Sequence, residues 1–217
     1  MSERGKLIVL EGLDRAGKSS QCVRLAERLR NQGHQVRQMR FPDRTTPIGQ
    51  MINSYLNGTS EQEDHVIHLL FSANRWEAAA GIKADIDAGT TVIIDRYYYS
   101  GCVYSAAKDN PTLPLAWARH PEVGLPKPDI CVFLDIAPEE AAKRGGFGEE
   151  KYETKRIQDR VREIFAELRE APEKGDFYRI DAGKTVEEVG DDIWRAILDL
   201  FQRVDMSGAP LGTVQAW

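Results

Sequence analysis

The sequence predicts an α/β fold in which a five-stranded parallel sheet is covered by helices on both faces. Five short apolar runs, rich in β-branched residues, alternate with helical stretches along the 217 residues. Strands that alternate with helices favour right-handed β-α-β units and a parallel sheet. In addition, the first apolar run leads directly into a glycine-rich loop and then into a helix, as phosphate-binding loops do.

Hydrophobic period and glycine positions define the predicted elements. The strands are predicted at residues 6–12, 34–41, 90–95, 129–136 and 176–182, and the helices at residues 18–32, 61–88, 138–144, 152–170 and 186–203. In the first helix Cys22, Leu25 and Leu29 fall on one face, and Gly33 ends it. Residues 205–217 have small side chains, a proline and no periodicity, so we expect one domain over 1–204 and a flexible tail over 205–217.

Composition restricts the possible partners. The formal charge is −5, whereas proteins that bind nucleic-acid polymers or acidic membranes usually present a basic face, so neither partner is expected. No stretch approaches the roughly 18 apolar residues of a membrane-spanning helix. The three cysteines are widely spaced without a C-x-x-C pair, which favours reduced thiols and a cytoplasmic location, with the nucleus as a further compartment.

The stretch EGLDRAGKSS (11–20) contains the pattern G-x-x-x-x-G-K-S of a phosphate-binding P-loop. In this pattern backbone amides face the phosphates, the lysine reaches the β- and γ-phosphates, and the serine hydroxyl binds Mg²⁺. The nucleotide-binding residues predicted here are Arg15, Ala16, Gly17, Lys18, Ser19 and Ser20. The loop also carries two opposite charges, on Asp14 and Arg15, which the amide cradle alone does not require.

A second motif is the run TTVIIDR (90–96), which predicts an apolar strand that ends in Asp95. A carboxylate at that position holds Mg²⁺ or its waters in many P-loop proteins. Asp135, at the end of the run DICVFLD, is a competing candidate, and a simple helix cap is a second explanation for Asp95. We favour Asp95 with Ser19 as the metal ligands because Arg96 follows it and ligands bind beyond the carboxyl ends of parallel strands.

The segment HLLFSANRWE (68–77) indicates a second binding site. His68, Phe71 and Arg75 share a helix face, so Phe71 can stack on a base while Arg75 donates to a carbonyl. Such a donor suits the O4 atom of thymine or uracil and disfavours the amino group of cytosine. The alternative is a core phenylalanine beside a solvated arginine. His65 and His68 are interpreted as surface or packing residues rather than metal ligands, because no third ligand accompanies them.

Two further patterns narrow the class of protein. The guanine-specifying N-K-x-D of GTPases does not occur in the sequence. The stretch KRGGFGEEKYE (143–153) combines three glycines with several charges and predicts a lid that folds over phosphates, with an ordinary polar loop as the alternative.

Six motifs in this order resemble the thymidylate kinase family, in the type that carries an arginine in the P-loop. They are LEGLDRAGKS, FPDR, LLFSANRWE, DRYYYSG, GLPKPD and RGGFGEEKYE, and the resemblance covers residues 6–203. It implies the P-loop nucleoside monophosphate kinase fold with a small lid, ATP and dTMP as substrates, Mg²⁺ as cofactor and a homodimer.

The resemblance also implies roles for individual residues. Arg15 would contact the transferring γ-phosphate, and Asp14 the 3′-hydroxyl of the acceptor. Arg44 and Arg96 would hold the acceptor phosphate, and Tyr104 would exclude a 2′-hydroxyl. The other implied acceptor-site residues are Phe41, Leu56, Phe71, Arg75, Ser100, Gly101, Tyr152 and Gln158. Near ATP the implied residues are Arg144, Asp181 and Ala182.

These features predict ATP-dependent phosphorylation of dTMP to dTDP, with Arg15, Lys18, Asp95 and Arg96 as the catalytic group. No general base is needed, because the acceptor phosphate has a second pKa of about 6 and is already a nucleophile at neutral pH. Two alternatives remain: a deoxynucleoside kinase that phosphorylates thymidine with Asp43 as base, and a non-catalytic nucleotide-binding protein. Basic lid residues (Lys143, Arg144, Lys151) could share the catalytic charge of Arg15.

Overall fold

A computed structural model of the chain describes residues 4–144, 151–152, 154–170 and 175–216. The strands are β1 (Leu7–Gly12), β2 (Val36–Arg40), β3 (Thr91–Asp95), β4 (Ile130–Asp135) and β5 (Phe177–Asp181). The helices are α1 (Lys18–Asn31), α2 (Pro47–Leu56), α3 (Asp64–Asp87), α4 (Tyr98–Ala106), α5 (Leu115–Arg119), α6 (Pro138–Lys143), α7 (Lys155–Glu170) and α8 (Val186–Ser207). A 3₁₀ turn at His120–Glu122 follows α5.

The five strands form one parallel sheet in the order β2-β3-β1-β4-β5, which confirms the predicted fold class. Connections between parallel strands are right-handed, so the direction in which the chain moves along the sheet decides which face its helix covers. From β1 to β2 the chain moves toward one edge, which places α1 on one face. The later connections move toward the opposite edge, which places α3, α4 and α7 on the other face. Helix α8 packs against α1. The central strands β1 and β3 are buried along their whole length, which explains their continuous apolar sequence.

Each predicted strand and each predicted helix is present in the structure, but three helices were not predicted. Helix α2 begins at a recognisable signal, because Thr46 accepts a hydrogen bond from the Gly49 amide (3.0 Å) and Pro47 occupies the first turn. Helices α4 and α5 are short, and α4 is buried on most of its surface, so neither shows a clear apolar stripe.

The C-terminal segment differs from the flexible tail predicted over 205–217. Helix α8 continues to Ser207, beyond the predicted domain boundary at 204. Thr213 forms an antiparallel bridge with Pro126, and Val214 is only 1% exposed. The segment is held by a partner about 90 residues away in sequence, which local periodicity cannot reveal. Within the described ranges, no helix is long and apolar enough to cross a membrane.

Candidate active site

The glycine-rich loop joins β1 to α1 at the carboxyl edge of the sheet. A Cβ atom at Gly12 would lie 2.3 Å from the carbonyl oxygen of Leu134 on β4, so no larger residue fits there. Gly17 has a φ of 89° and Arg15 a φ of 67°, a region that non-glycine residues rarely adopt. The Arg15 carbonyl accepts a hydrogen bond from Nη1 of Arg144 (3.0 Å), so residues far apart in sequence fix the loop.

Lys18 is buried in the first turn of α1, and its ammonium group points back into the loop. Nζ donates to the carbonyl oxygens of Gly12 (3.0 Å) and Leu13 (2.6 Å). Burial, together with repulsion from Arg96, lowers the pKa of Lys18 to about 8, although nearby carboxylates oppose these two effects. A phosphate bound beside this ammonium group would favour its charged form.

Asp95 ends β3 next to Ser19, whose hydroxyl donates to Oδ2 of Asp95 (2.5 Å). Oδ1 of Asp95 is buried and has no hydrogen-bond partner within the described residues. A buried carboxylate oxygen beside a hydroxyl suits Mg²⁺, which binds few protein oxygens and otherwise takes water and phosphate oxygens. The described part of the chain contains no group of three or more His, Cys, Asp or Glu side chains able to hold a metal.

The competing carboxylate, Asp135 at the end of β4, is engaged elsewhere. Its Oδ2 accepts a hydrogen bond from Nε of Arg179 (2.7 Å) and lies 3.6 Å from Nη1 of Arg169. This geometry favours Asp95 as the candidate metal ligand.

Asp14 lies where the loop meets the second half of the site, and three side chains converge on its carboxylate. Arg96 donates to Oδ1, while Tyr104 (3.0 Å) and Gln158 (2.7 Å) donate to Oδ2. Burial acts to raise the pKa of Asp14, but the charges of Arg96 and Lys18 outweigh it, so the pKa is lowered and the group is ionised at neutral pH.

Sequence analysis missed Glu11, which is fully buried at the end of β1. Its Oε1 accepts from the backbone amides of Tyr97 (2.8 Å) and Ser100 (3.0 Å), and its Oε2 accepts from the Ser100 hydroxyl. Burial raises the pKa of Glu11, and the bonds to Ser100 and the charge of Arg96 oppose this effect. Glu11 therefore caps α4 from another strand and fixes the chain next to Arg96. An acid inside an otherwise apolar strand was the available signal.

A cavity opens between the P-loop, the end of β2, α3 and α4. Its lining includes these predicted acceptor-site residues: Asp14, Phe41, Arg44, Leu56, Phe71, Arg75, Arg96, Ser100, Gly101, Tyr104 and Tyr152. Gln158 approaches from α7 and donates to the carbonyl oxygen of Tyr152 (3.0 Å). The structure thus brings together residues from opposite ends of the sequence, and Arg40, Pro42, Tyr97 and Ser105 complete the lining.

Arg75 is buried at the base of this cavity rather than solvated. Its Nε donates to Oε2 of Glu122 (2.8 Å) and its Nη2 to Oε1 (2.5 Å), a bidentate pair. A Cβ atom at Gly101 would lie 2.6 Å from Nη2 of Arg75, so Gly101 leaves space for the guanidinium group. Glu122 is 0% exposed and was not predicted as a site residue, because nothing near it in sequence points to a partner 47 residues away.

The loop after β2 carries Arg44 and is fixed by Asn74 of α3. Asn74 accepts from the Asp43 amide (2.7 Å) and donates to the Asp43 carbonyl oxygen (3.2 Å). Arg44 itself donates to Oδ1 of Asn53 (2.9 Å) on α2. This loop also contains a cis peptide bond between Phe41 and Pro42.

The other end of the site lies near β5. Nη2 of Arg144 donates to the carbonyl oxygen of Ala182 (2.7 Å), so Arg144 bridges the P-loop and the segment after β5. The Asp181 carboxylate accepts from the Gly183 amide (2.9 Å), and Ser20 lies exposed on the first turn of α1. Residues 145–150 and 153 of the predicted lid lie outside the described residues.

The two histidines of α3 pack within the fold, as predicted. Nδ1 of His68 lies 2.7 Å from the Ser105 hydroxyl, and the His65 ring packs edge-on against Trp117. Burial lowers the pKa of His68 to about 4, so its ring is neutral at physiological pH.

The chain is similar to known proteins in sequence and in fold. A family model described as thymidylate kinase matches residues 10–193. Curated thymidylate kinases from Danio rerio (48% identical, 88% of each chain covered) and Homo sapiens (46% identical, 88% of this chain and 89% of the relative) are similar in sequence. A solved thymidylate kinase from Candida albicans has a TM-score of 0.86 at 35% identity and covers 99% of this chain and 100% of that one.

Proposed function

The chain belongs to the thymidylate kinase family and uses ATP to phosphorylate dTMP to dTDP, and we propose that Asp14 and Arg96 join the two nucleotide sites of this reaction. The observation that carries the proposal is the convergence of Arg96, Tyr104 and Gln158 on one P-loop carboxylate. In this arrangement the loop that holds the donor phosphates also forms a wall of the acceptor cavity. Asp14 accepts a hydrogen bond from the acceptor 3′-hydroxyl.

The acceptor nucleotide is held at both of its ends. Arg44 and Arg96 neutralise its phosphate, Phe71 stacks on thymine, and Arg75 donates to O4. Tyr104 packs against C2′, where a ribose hydroxyl would collide with the ring. All five side chains line the same cavity, which supports this assignment.

Phosphoryl transfer then depends on position and charge. The acceptor phosphate, with a second pKa of about 6, attacks the γ-phosphorus of ATP without a base. Lys18 holds the β- and γ-phosphates, Arg15 neutralises charge that develops on the transferring group, and Arg96 keeps the acceptor in line. The amides of the P-loop bind ATP, while Arg144, Asp181 and Ala182 lie toward its adenine.

Ser19 and Asp95 are the residues that would hold Mg²⁺. When bound, the ion neutralises phosphate charge during the transfer. The buried Oδ1 of Asp95 supports this assignment, since a metal would supply the partner that the described protein groups do not.

Helix α3 supports a homodimer. Its outer face exposes Val66 (44%), Leu69 (46%) and Trp76 (43%) at spacings that align them along one stripe, and Met51 of α2 is 48% exposed. Burying this stripe against a second copy removes it from water. Sedimentation velocity should give a dimer for the wild type and a monomer for Leu69→Glu. Leu198→Glu, which alters an equally exposed leucine on α8, should remain dimeric. A monomeric wild type would refute the homodimer.

A cytoplasmic location, with the nucleus as a further compartment, stays part of the proposal. The three cysteines are all buried and none forms a disulfide bond, which supports a reducing environment.

A coupled assay of ADP release tests the function directly. With ATP and Mg²⁺ we expect turnover of dTMP far above that of thymidine, dCMP or UMP. Asp43, the base that a thymidine kinase would require, is hydrogen-bonded to the amide (3.0 Å) and hydroxyl (2.6 Å) of Thr45. Preference for thymidine over dTMP would overturn the proposal.

A further inference from the structure

We infer that the C-terminal segment 212–214 positions Glu122 behind Arg75 and thereby sets how strictly the acceptor base is read. The inference rests on the proposed contact between Arg75 and thymine. Arg75 has five N–H donors, and Glu122 fixes two of them, so the carboxylate sets the plane of the guanidinium group. Selectivity for O4 depends on that plane, because a misaligned donor no longer distinguishes a carbonyl from an amino group.

Glu122 lies in a 3₁₀ turn of three residues, so its position depends on the elements around it. On one side the turn is tied to α3, since the Pro121 carbonyl oxygen accepts from Nε1 of Trp76 (2.7 Å) and from the Ser72 hydroxyl (3.2 Å). On the other side the Leu125 amide donates to the Glu122 carbonyl oxygen (3.1 Å), which couples Glu122 to the loop that follows.

That loop is clamped by the C-terminal segment. The Gly124 amide donates to the Val214 carbonyl oxygen (2.9 Å), and the Val214 amide donates to the Leu125 carbonyl oxygen (2.8 Å). On the other side of the bridge between Pro126 and Thr213, the Lys127 amide donates to the Gly212 carbonyl oxygen (2.9 Å). Val214 is 1% exposed and packs into the hydrophobic core that surrounds the sheet, so its side chain anchors the segment.

The opposite face of the loop leaves little room for it to shift. Gly124 has a φ of 98°, and a Cβ atom there would lie 3.1 Å from the ring of Trp76. The loop is therefore held between α3 and the C-terminal segment. Release of the segment would remove three backbone hydrogen bonds and free the loop to move away from α3. The phosphate-binding groups lie on other elements, so we expect the loss to fall on base recognition rather than on phosphoryl transfer.

The test uses Val214→Asp, which introduces an unpaired charge into the core and detaches the segment. Its matched control is Ala216→Asp, which adds the same charge at an exposed position two residues later. For full-length proteins, kcat and KM are measured for dTMP and dCMP at saturating ATP and Mg²⁺. We expect Val214→Asp to lower the ratio of kcat/KM for dTMP to that for dCMP about tenfold, the usual scale for one base contact. The change should appear mainly in the KM for dTMP, with kcat and the KM for ATP within about threefold of wild type and Ala216→Asp unchanged.

Arg75→Ala separates this inference from the proposed function. If Arg75→Ala lowers the selectivity and Val214→Asp does not, the inference is overturned while base reading by Arg75 stands. If Arg75→Ala leaves selectivity unchanged, the proposed role of Arg75 is itself refuted. Should Val214→Asp fail to fold by circular dichroism, Val214→Ala replaces it, and an unchanged ratio in that variant overturns the inference. The milder variant removes two buried methyl groups and should lower the ratio about threefold.

Discussion

Gly81 and Gly101 both lie in helices, but only Gly101 packs closely against another side chain. Replacing either with alanine improves helix propensity by about 1 kcal/mol. At Gly81 of α3 the added methyl would meet only the tip of Arg37 at 3.6 Å, an ordinary contact. At Gly101 of α4 it would lie 2.6–2.9 Å from three atoms of the Arg75 guanidinium group, which Glu122 holds in place. Overpacking of this kind costs about 1–3 kcal/mol.

The two substitutions should therefore change stability in opposite directions. We expect Gly81→Ala to raise the free energy of unfolding by about 0.5–1 kcal/mol and Gly101→Ala to lower it by up to about 2 kcal/mol. Urea unfolding followed by circular dichroism measures both. Gly101→Ala should also raise the KM for dTMP about tenfold, since the guanidinium group must shift by several tenths of an ångström, whereas Gly81→Ala should not. A Gly101→Ala variant as stable as Gly81→Ala, with wild-type KM, would show that Arg75 does not occupy this position.

Three further predictions concern catalysis, sugar selection and pH. Arg15→Ala should lower kcat by about 10³-fold in steady-state assays, and a near-normal kcat would assign the catalytic charge to the basic lid residues instead. Tyr104→Ala should raise activity on UMP relative to dTMP, while Tyr104→Phe, which keeps the ring, should not; equal ratios in both variants would mean that the 2′ position is read elsewhere. The pKa of His68 is lowered from 6.5 to about 4 in the folded chain. Between these two pH values the unfolded chain binds a proton at His68 and the folded chain does not. The free energy of unfolding should therefore fall as the pH drops from 6.5 to about 4. His68→Gln should make that decline shallower by up to about 3 kcal/mol, measured by urea unfolding at pH 7 and pH 4.5, and an unchanged slope would contradict a buried neutral ring.

The sheet could be predicted from sequence because its signals are local. The central strands are apolar runs ended by Gly12, Asp95 and Asp135, and their alternation with helices dictates parallel pairing. Helix α4 could not be found in this way, because its buried tyrosines show no stripe and its N-terminus is capped by Glu11 from another strand. The capping group lies 86 residues away from the amide that it binds.

The residues of the candidate site differ in the same way, since some have a local sequence signal and others depend on distant partners. Residues that belong to a known motif, such as Lys18 and Asp95, could be predicted from the sequence pattern alone. Residues that act by holding others could not. Glu122 orients Arg75, and Asn74 fixes the loop of Arg44, and each partner lies tens of residues away. Their importance becomes visible only when burial is known, because a buried polar side chain must find a hydrogen-bond partner.

Charge balance explains why a loop built from backbone amides also carries a carboxylate. Arg96 is only partly buried, with 19% of its side chain exposed, and it lies at the boundary between the two proposed nucleotide sites. Its charge lowers the pKa of the nearby Lys18, so without an anion the two cations would repel each other. Asp14 offsets part of this repulsion, and its ion pair with Arg96 fixes the guanidinium group before any phosphate arrives. The bonds from Tyr104 and Gln158 satisfy the other oxygen of Asp14, so the carboxylate cannot rotate freely. With an uncharged residue at this position, Arg96 would keep only its longer hydrogen bonds, to the Ser100 hydroxyl (3.3 Å) and the Gly12 carbonyl oxygen (3.5 Å). We therefore propose that the carboxylate serves the acceptor half of the site from within the loop that would bind the donor.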